Sequence, residues 1–210
     1  MATRKMGTVF ALLLFGLLAC SSDVAFQPLP AGTTVLAFGD SVTHGTGAQP
    51  GEDYPSLLAM QTGWQVINAG IPGDTARQAQ HRLAALLREH QPALVIVELG
   101  GNDFLRKRSS ARVKQDLQTI INESMESGAI TVLVAVPQLS ILRAGVGALK
   151  DADIYAQLAQ DTGALLVEDS FSDVLSDEAL RSDPIHPNAL GYQQFTRDLI
   201  VQLRSAGLYQ

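Results

Sequence analysis

The 210-residue chain has one cysteine, Cys20, and one tryptophan, and its 15 lysines and arginines face 21 aspartates and glutamates, for a formal net charge of -6. A lone cysteine excludes an intrachain disulfide, and if Cys20 is lipidated no thiol is left for catalysis or a metal, so stability has to come from the core. The shortage of positive charge excludes a nucleic-acid backbone as partner, because tracking phosphates takes a concentrated basic surface. A membrane-crossing helix needs about 20 apolar residues. The longest apolar stretch, 6–19, spans fourteen. The pattern HExxH occurs nowhere, which removes the zinc-hydrolase helix. What is present is 46% hydrophobic and 17% charged residues, the balance of one globular domain with a full core.

The opening segment, MATRKMGTVFALLLFGLLACSSD, carries Arg4 and Lys5 ahead of the apolar stretch, in the manner of a secretory signal. Its end, LLAC, resembles the bacterial lipobox, where the signal is cut before a cysteine that then takes a diacylglyceryl group. An ordinary signal with an incidental cysteine is the alternative. The expected organisation is therefore a lipoprotein signal over 1–19, lipidated Cys20 with a proline-containing tether to residue 32, and a domain over 33–210. The expected address is the cell envelope, with a lipid anchor on Cys20. By resemblance to Gram-negative sorting rules, Ser21 directs it to the outer membrane, facing the periplasm. If Cys20 is not lipidated, the address is simply periplasmic.

After the tether, short β-rich runs alternate with longer amphipathic stretches. Five strands are expected, at 33–38, 65–68, 93–99, 129–136 and 164–167, with helices near 53–62, 75–90, 111–127, 152–162 and 189–204. LVIVEL and ITVLVAV are apolar almost continuously, as befits parallel strands covered on both faces. This is one doubly wound α/β domain, in which ligands bind beyond the carboxyl ends of the strands.

Four stretches stand at those ends or lead from them. The first strand runs into AFGDSVTHG, with Ser41; the second into NAGIPGDT, with Gly73; the third into GGND, with Asn102. The loop before the last helix reads SDPIHPN, with Asp183 and His186. Together they supply a serine, a histidine to take its proton, a carboxylate to hold the imidazole and donors for an oxyanion, the parts of acyl transfer. His44 lies too near Ser41 along the chain, and His81 and His90 fall on a helix or at its end. Asp183 precedes His186 by three residues, a spacing at which a tight turn brings carboxylate to Nδ1; the bland alternative is that Asp183 only caps the turn. Pro187 and Asn188 then start the last helix. Gly73 and Asn102 are candidate oxyanion donors beside the N–H of Ser41, although either residue type also serves in turns and caps.

These blocks, in this order, resemble the signature blocks of the SGNH (GDSL) hydrolase family, and the resemblance runs over most of the domain. NAGIPGDTA and VELGGNDFLRK are similar to segments of its small bacterial thioesterase/lysophospholipase and arylesterase type. The resemblance implies a flavodoxin-like sheet ordered 2-1-3-4-5. It also implies Ser41 as nucleophile, Asp183 and His186 completing the triad, and Ser41, Gly73 and Asn102 as the oxyanion hole. Asp40 reads as structural. Val42 replaces the leucine of the motif, a volume-conserving change. The implied reaction is hydrolysis of carboxylic esters or thioesters through an acyl-enzyme, on a small-molecule ester or lipid, with no metal or other cofactor. The alternatives are a carbohydrate O-acetylesterase on the same scaffold and a catalytically silent ligand-binding surface lipoprotein. The GxSxG elbow of the other large serine-hydrolase fold is absent around Ser41.

Substrate choice is expected in the loops after strands three and four. The segment 137–150, PQLSILRAGVGALK, is glycine-jointed, and Leu139, Ile141, Leu142 and Val146 are candidates for the wall of an acyl pocket. The basic run Arg106, Lys107, Arg108 reads as a solvated patch, with an anionic head group as the alternative partner.

Overall fold

A computed structural model describes residues 26–138 and 149–210. Cys20 and the four pocket candidates Leu139, Ile141, Leu142 and Val146 lie outside the described residues. Five parallel strands form one sheet: β1 Thr34–Gly39, β2 Gln65–Gly70, β3 Leu94–Glu98, β4 Ile130–Val134 and β5 Leu165–Val167. Their spatial order is β2-β1-β3-β4-β5, with β1 between β2 and β3. Every residue of β3 is buried, whereas β2, on the sheet edge, is only partly so. This burial accounts for the unbroken apolar runs of the inner strands and the polar residues admitted at the edge.

The long helices are α2 Tyr54–Thr62, α3 Ala76–His90, α5 Ser110–Glu126, α6 Ile154–Thr162 and α8 Ala189–Ser205, all near their expected positions. They pack in two groups, α3 with α5 and α5 with α6, and α2 with α8. In α3, Ala76, Ala79, Leu83 and Leu87 are buried, the spacing of one helical face. Thr75 and Gln78 start that helix as a reciprocal capping box. The last helix begins at residue 189 as expected, but Pro187 and Asn188 stand before it rather than opening it. Asn188 is the N-cap, its side chain accepting the Gly191 N–H at 3.0 Å, and Pro187 lies in a short strand before it.

The short elements went unseen in the pattern because they are too brief to show a period. They are helices α1 Ser41–His44, α4 Gly101–Leu105 and α7 Ser170–Ser176, a 3-10 turn Glu178–Leu180, and an antiparallel pair, β6 Arg181–Asp183 and β7 His186–Pro187. Three of these, α1, α4 and the β6–β7 hairpin, carry the site.

Candidate active site

Gly39, the last residue of β1, gives way to Asp40, the N-cap of α1, whose carboxylate accepts the Val42 N–H at 3.1 Å. Ser41 is thereby the first residue of a one-turn helix, and its N–H has no intrahelical acceptor. Room for this turn depends on Gly39. A Cβ there would meet the Thr43 hydroxyl and lie 2.6 Å from the Glu98 carbonyl oxygen.

The β6–β7 hairpin pairs Asp183 with His186 across Pro184 and Ile185. Asp183 divides its carboxylate between two tasks. Oδ1 accepts the N–H groups of Ile185 and His186, at 2.9 and 3.0 Å, and Oδ2 lies 2.8 Å from His186 Nδ1. The turn-capping role and the imidazole-holding role, set against each other in the sequence, are filled by separate oxygens of one residue. His186 Nε2 lies 2.9 Å from Ser41 Oγ, joining groups 145 positions apart. Partial burial pushes the Asp183 carboxyl up, but the hydrogen bonds from the imidazole and the turn N–H groups outweigh it. The pKa ends below the usual range.

Asn102 lies in the first turn of α4, and its Nδ2 donates to Asp40 Oδ2 at 2.9 Å, leaving its second amide hydrogen for another acceptor. Gly73 has φ +86°, and its N–H takes no hydrogen bond among the described residues. Asp40, Ser41, Asn102 and His186 line one pocket with the apolar Val42, Leu105, Val136, Phe171 and Ile185.

Beneath the serine lies a buried polar network that the sequence reading passed over. Glu98, at the end of β3, is 1% exposed and accepts the Thr43 hydroxyl at 3.1 Å, and Thr43 in turn meets the Tyr54 hydroxyl at 3.0 Å. Burial, then the neighbouring Asp40 charge, pushes the Glu98 carboxyl well above the usual range. Asp40 is pushed up to about 6 by burial, against the lowering pull of its bonds from Val42 and Asn102. Asn68 closes the other end of α1, donating to the Thr43 carbonyl at 2.8 Å. Arg82 spans the ends of two strands, donating to the carbonyls of Ala69 and Gly39 at 2.7 and 2.9 Å while pairing with Asp74. A signal existed for Glu98, a carboxylate inside an otherwise apolar strand; Arg82 looks in sequence like any polar helix residue.

The basic run after α4 is exposed at Arg106 and Lys107, as its composition suggests, but its two arginines also bind protein groups. Arg108 pairs with Asp103 and, at 2.6 Å, with Asp116, and Arg106 donates to Gly73 and Gln78. Of the three, only Lys107 has an exposed side chain with no hydrogen bond or ion pair among the described residues.

A model of the GDSL-like Lipase/Acylhydrolase family matches residues 37–194. The chain is 35% identical over 164 residues to the thioesterase 1/protease 1/lysophospholipase L1 of Escherichia coli (strain K12), covering 75% of this chain and 77% of that protein. It is 30% identical over 187 residues to an arylesterase of Vibrio mimicus, covering 85% and 88%. The crystal structure of the psychrotrophic esterase EstA from Pseudoalteromonas sp., inhibited by monoethylphosphonate, superposes with a TM-score of 0.70 at 27% identity, over 82% of this chain and 97% of that one.

Proposed function

The chain belongs to the GDSL-like Lipase/Acylhydrolase family, as a serine hydrolase of carboxylic esters and thioesters, and we propose that Ser41 is its nucleophile, His186 its general base and Asp183 the carboxylate that holds the imidazole. The observation that supports these roles most directly is the chain of contacts from Asp183 Oδ2 through the two ring nitrogens of His186 to Ser41 Oγ, at 2.8 and 2.9 Å. His186 takes the Ser41 proton as Oγ attacks the acyl carbon. The oxyanion is met by the N–H groups of Ser41 and Gly73 and by the Asn102 amide, and His186 returns the proton to the departing alcohol or thiol. Water then repeats the two steps on the acyl-enzyme. Val42, Leu105, Val136, Phe171 and Ile185 offer the acyl group an apolar seat.

The substrates belong to the classes carried by the relatives: acyl thioesters, lysophospholipids and aryl esters. The cellular address is a lipid anchor on Cys20 in the envelope, supported by the basic start, the apolar stretch and LLAC. Among the described residues no helix is long and apolar enough to cross a membrane.

One experiment tests the reading. Membrane and soluble fractions of cells expressing the full chain, its Ser41→Ala variant and its Cys20→Ser variant are assayed with p-nitrophenyl esters from acetate to palmitate. The expected outcome is Ser41-dependent hydrolysis in the membrane fraction, released by Cys20→Ser, with a preference for acyl groups longer than acetate. A maximum at acetate would favour the O-acetylesterase. No Ser41-dependent activity from folded protein would leave a binding lipoprotein instead.

A further inference from the structure

We propose that Arg106 is a positioning residue for the oxyanion hole, clamping the turn that aims the Gly73 N–H to the helix that carries Asn102. The inference rests on the assignment of Gly73 and Asn102 as oxyanion donors. Gly73 occupies the third position of the turn Ile71-Pro72-Gly73-Asp74, closed by the Asp74 N–H on the Ile71 carbonyl at 3.1 Å. Proline at the second position and φ +86° at the third make this a type II turn. Type I and type II turns differ by a flip of the central peptide, here the one between Pro72 and Gly73, and that peptide carries the Gly73 N–H. The flip would turn the donor to the opposite side of the turn. Glycine tolerates both geometries, so residue 73 by itself does not choose between them.

The tertiary contacts restrain the turn's position rather than the flip itself, since the Gly73 carbonyl belongs to the peptide after the one that flips. Arg106 Nη2 donates to the Gly73 carbonyl at 2.9 Å, and Nη1 donates to Gln78 Oε1 at 3.0 Å. That same Gln78 oxygen receives the N–H and hydroxyl of Thr75, at 3.1 and 2.9 Å, so one guanidinium grips both the turn and the start of α3. Arg106 is the C-cap of α4, with its N–H on the Asn102 carbonyl at 3.1 Å. Gly73, on the loop after β2, and Asn102, on the helix after β3, are thus tied through a single residue. A planar guanidinium reaches two acceptors at once in fixed directions; an ammonium does so with far less constraint. The neighbouring Lys107 makes no such contact.

The test compares the full chain with Arg106→Ala, Arg106→Lys, Lys107→Ala and Ser41→Ala in steady-state kinetics on p-nitrophenyl butyrate, a neutral ester, with a thermal melt of each. A misaimed donor weakens the transition state more than the bound ester. Arg106→Ala should therefore lower kcat roughly 10- to 100-fold and leave KM within about 2-fold. Arg106→Lys should fall between wild type and alanine, Lys107→Ala should match wild type, and all should remain folded. The proposal is overturned by an unchanged kcat in Arg106→Ala, by a raised KM at unchanged kcat, which would make Arg106 a substrate-binding group, or by a loss that only follows the unfolded fraction. Activity surviving in Ser41→Ala would strike the assignment of the site itself, a separate failure.

Discussion

Two carboxylates show how little a residue's type says about its use. Asp183 is bound on one oxygen by the turn N–H groups and on the other by the imidazole, so its charge is held and its ring partner oriented. Asp40 accepts from the Val42 N–H and the Asn102 amide, which sets the helix of Ser41 and the proposed oxyanion donor Asn102 on one acceptor residue. Asn102→Ala removes that donor and leaves α4 intact. Its kcat should fall roughly 10²- to 10³-fold with KM little changed. The comparison of kcat and KM for the variant and wild type checks this, and a kcat within a few-fold of wild type would remove Asn102 from the oxyanion hole.

At the scale of elements, the loops beyond the sheet are locked by ion pairs and caps as well as by apolar packing. Asp103, 0% exposed and in the first turn of α4, accepts the Ala76 N–H at the start of α3 at 2.9 Å and pairs with Arg108. Arg108 also reaches Asp116 on α5, so α3, α4 and α5 are linked through Asp103 and Arg108 together. Arg108→Ala strands the Asp103 charge among buried groups, and the cost should be about 2 to 3 kcal/mol, since the arginine is itself 21% exposed. Urea unfolding of the variant measures it. Adding Asp103→Asn, which removes the stranded charge and keeps an acceptor for Ala76, should recover part of the loss. A simple sum of the two single effects would argue against this coupling.

The whole molecule carries an internal acid pair that makes its stability fall as pH rises. Burial raises Asp40 to about 6 from 3.8 and Glu98 well above 4.5, so above about pH 4 the unfolded chain releases protons that the folded chain keeps. The stabilisation is complete below the unfolded values and is lost as pH rises, through about pH 6 for Asp40 and well above the usual carboxylate range for Glu98. Asp183, lowered by its imidazole and turn bonds, acts oppositely, its contribution vanishing only under stronger acid. Glu98→Gln keeps an acceptor for Thr43 and removes the charge. Melts at about pH 5 and pH 8 should show the variant gaining on wild type mainly at the higher pH. An equal gain at both would mean that Glu98 titrates as in the unfolded chain.

The sequence by itself determined the fold class, because continuous apolar strands between amphipathic helices permit few arrangements other than a covered parallel sheet, while the strand order came only through the family resemblance. Its local spacing also marked Ser41, Gly73, Asn102, Asp183 and His186 as candidates. The proximity of Ser41 and His186 is a tertiary fact, since groups 145 positions apart meet only when the sheet sets the loop ends on one edge. The same holds for α1, α4 and the β6–β7 hairpin, elements too short to print a period and held by caps and neighbours. It holds as well for Arg106 and Arg108, whose composition says solvent. Only the approach of Gly73, Gln78, Asp103 and Asp116 decided that these cations bind protein, because a hydrogen bond depends on where its acceptor lies in space and sequence records only what lies beside it along the chain.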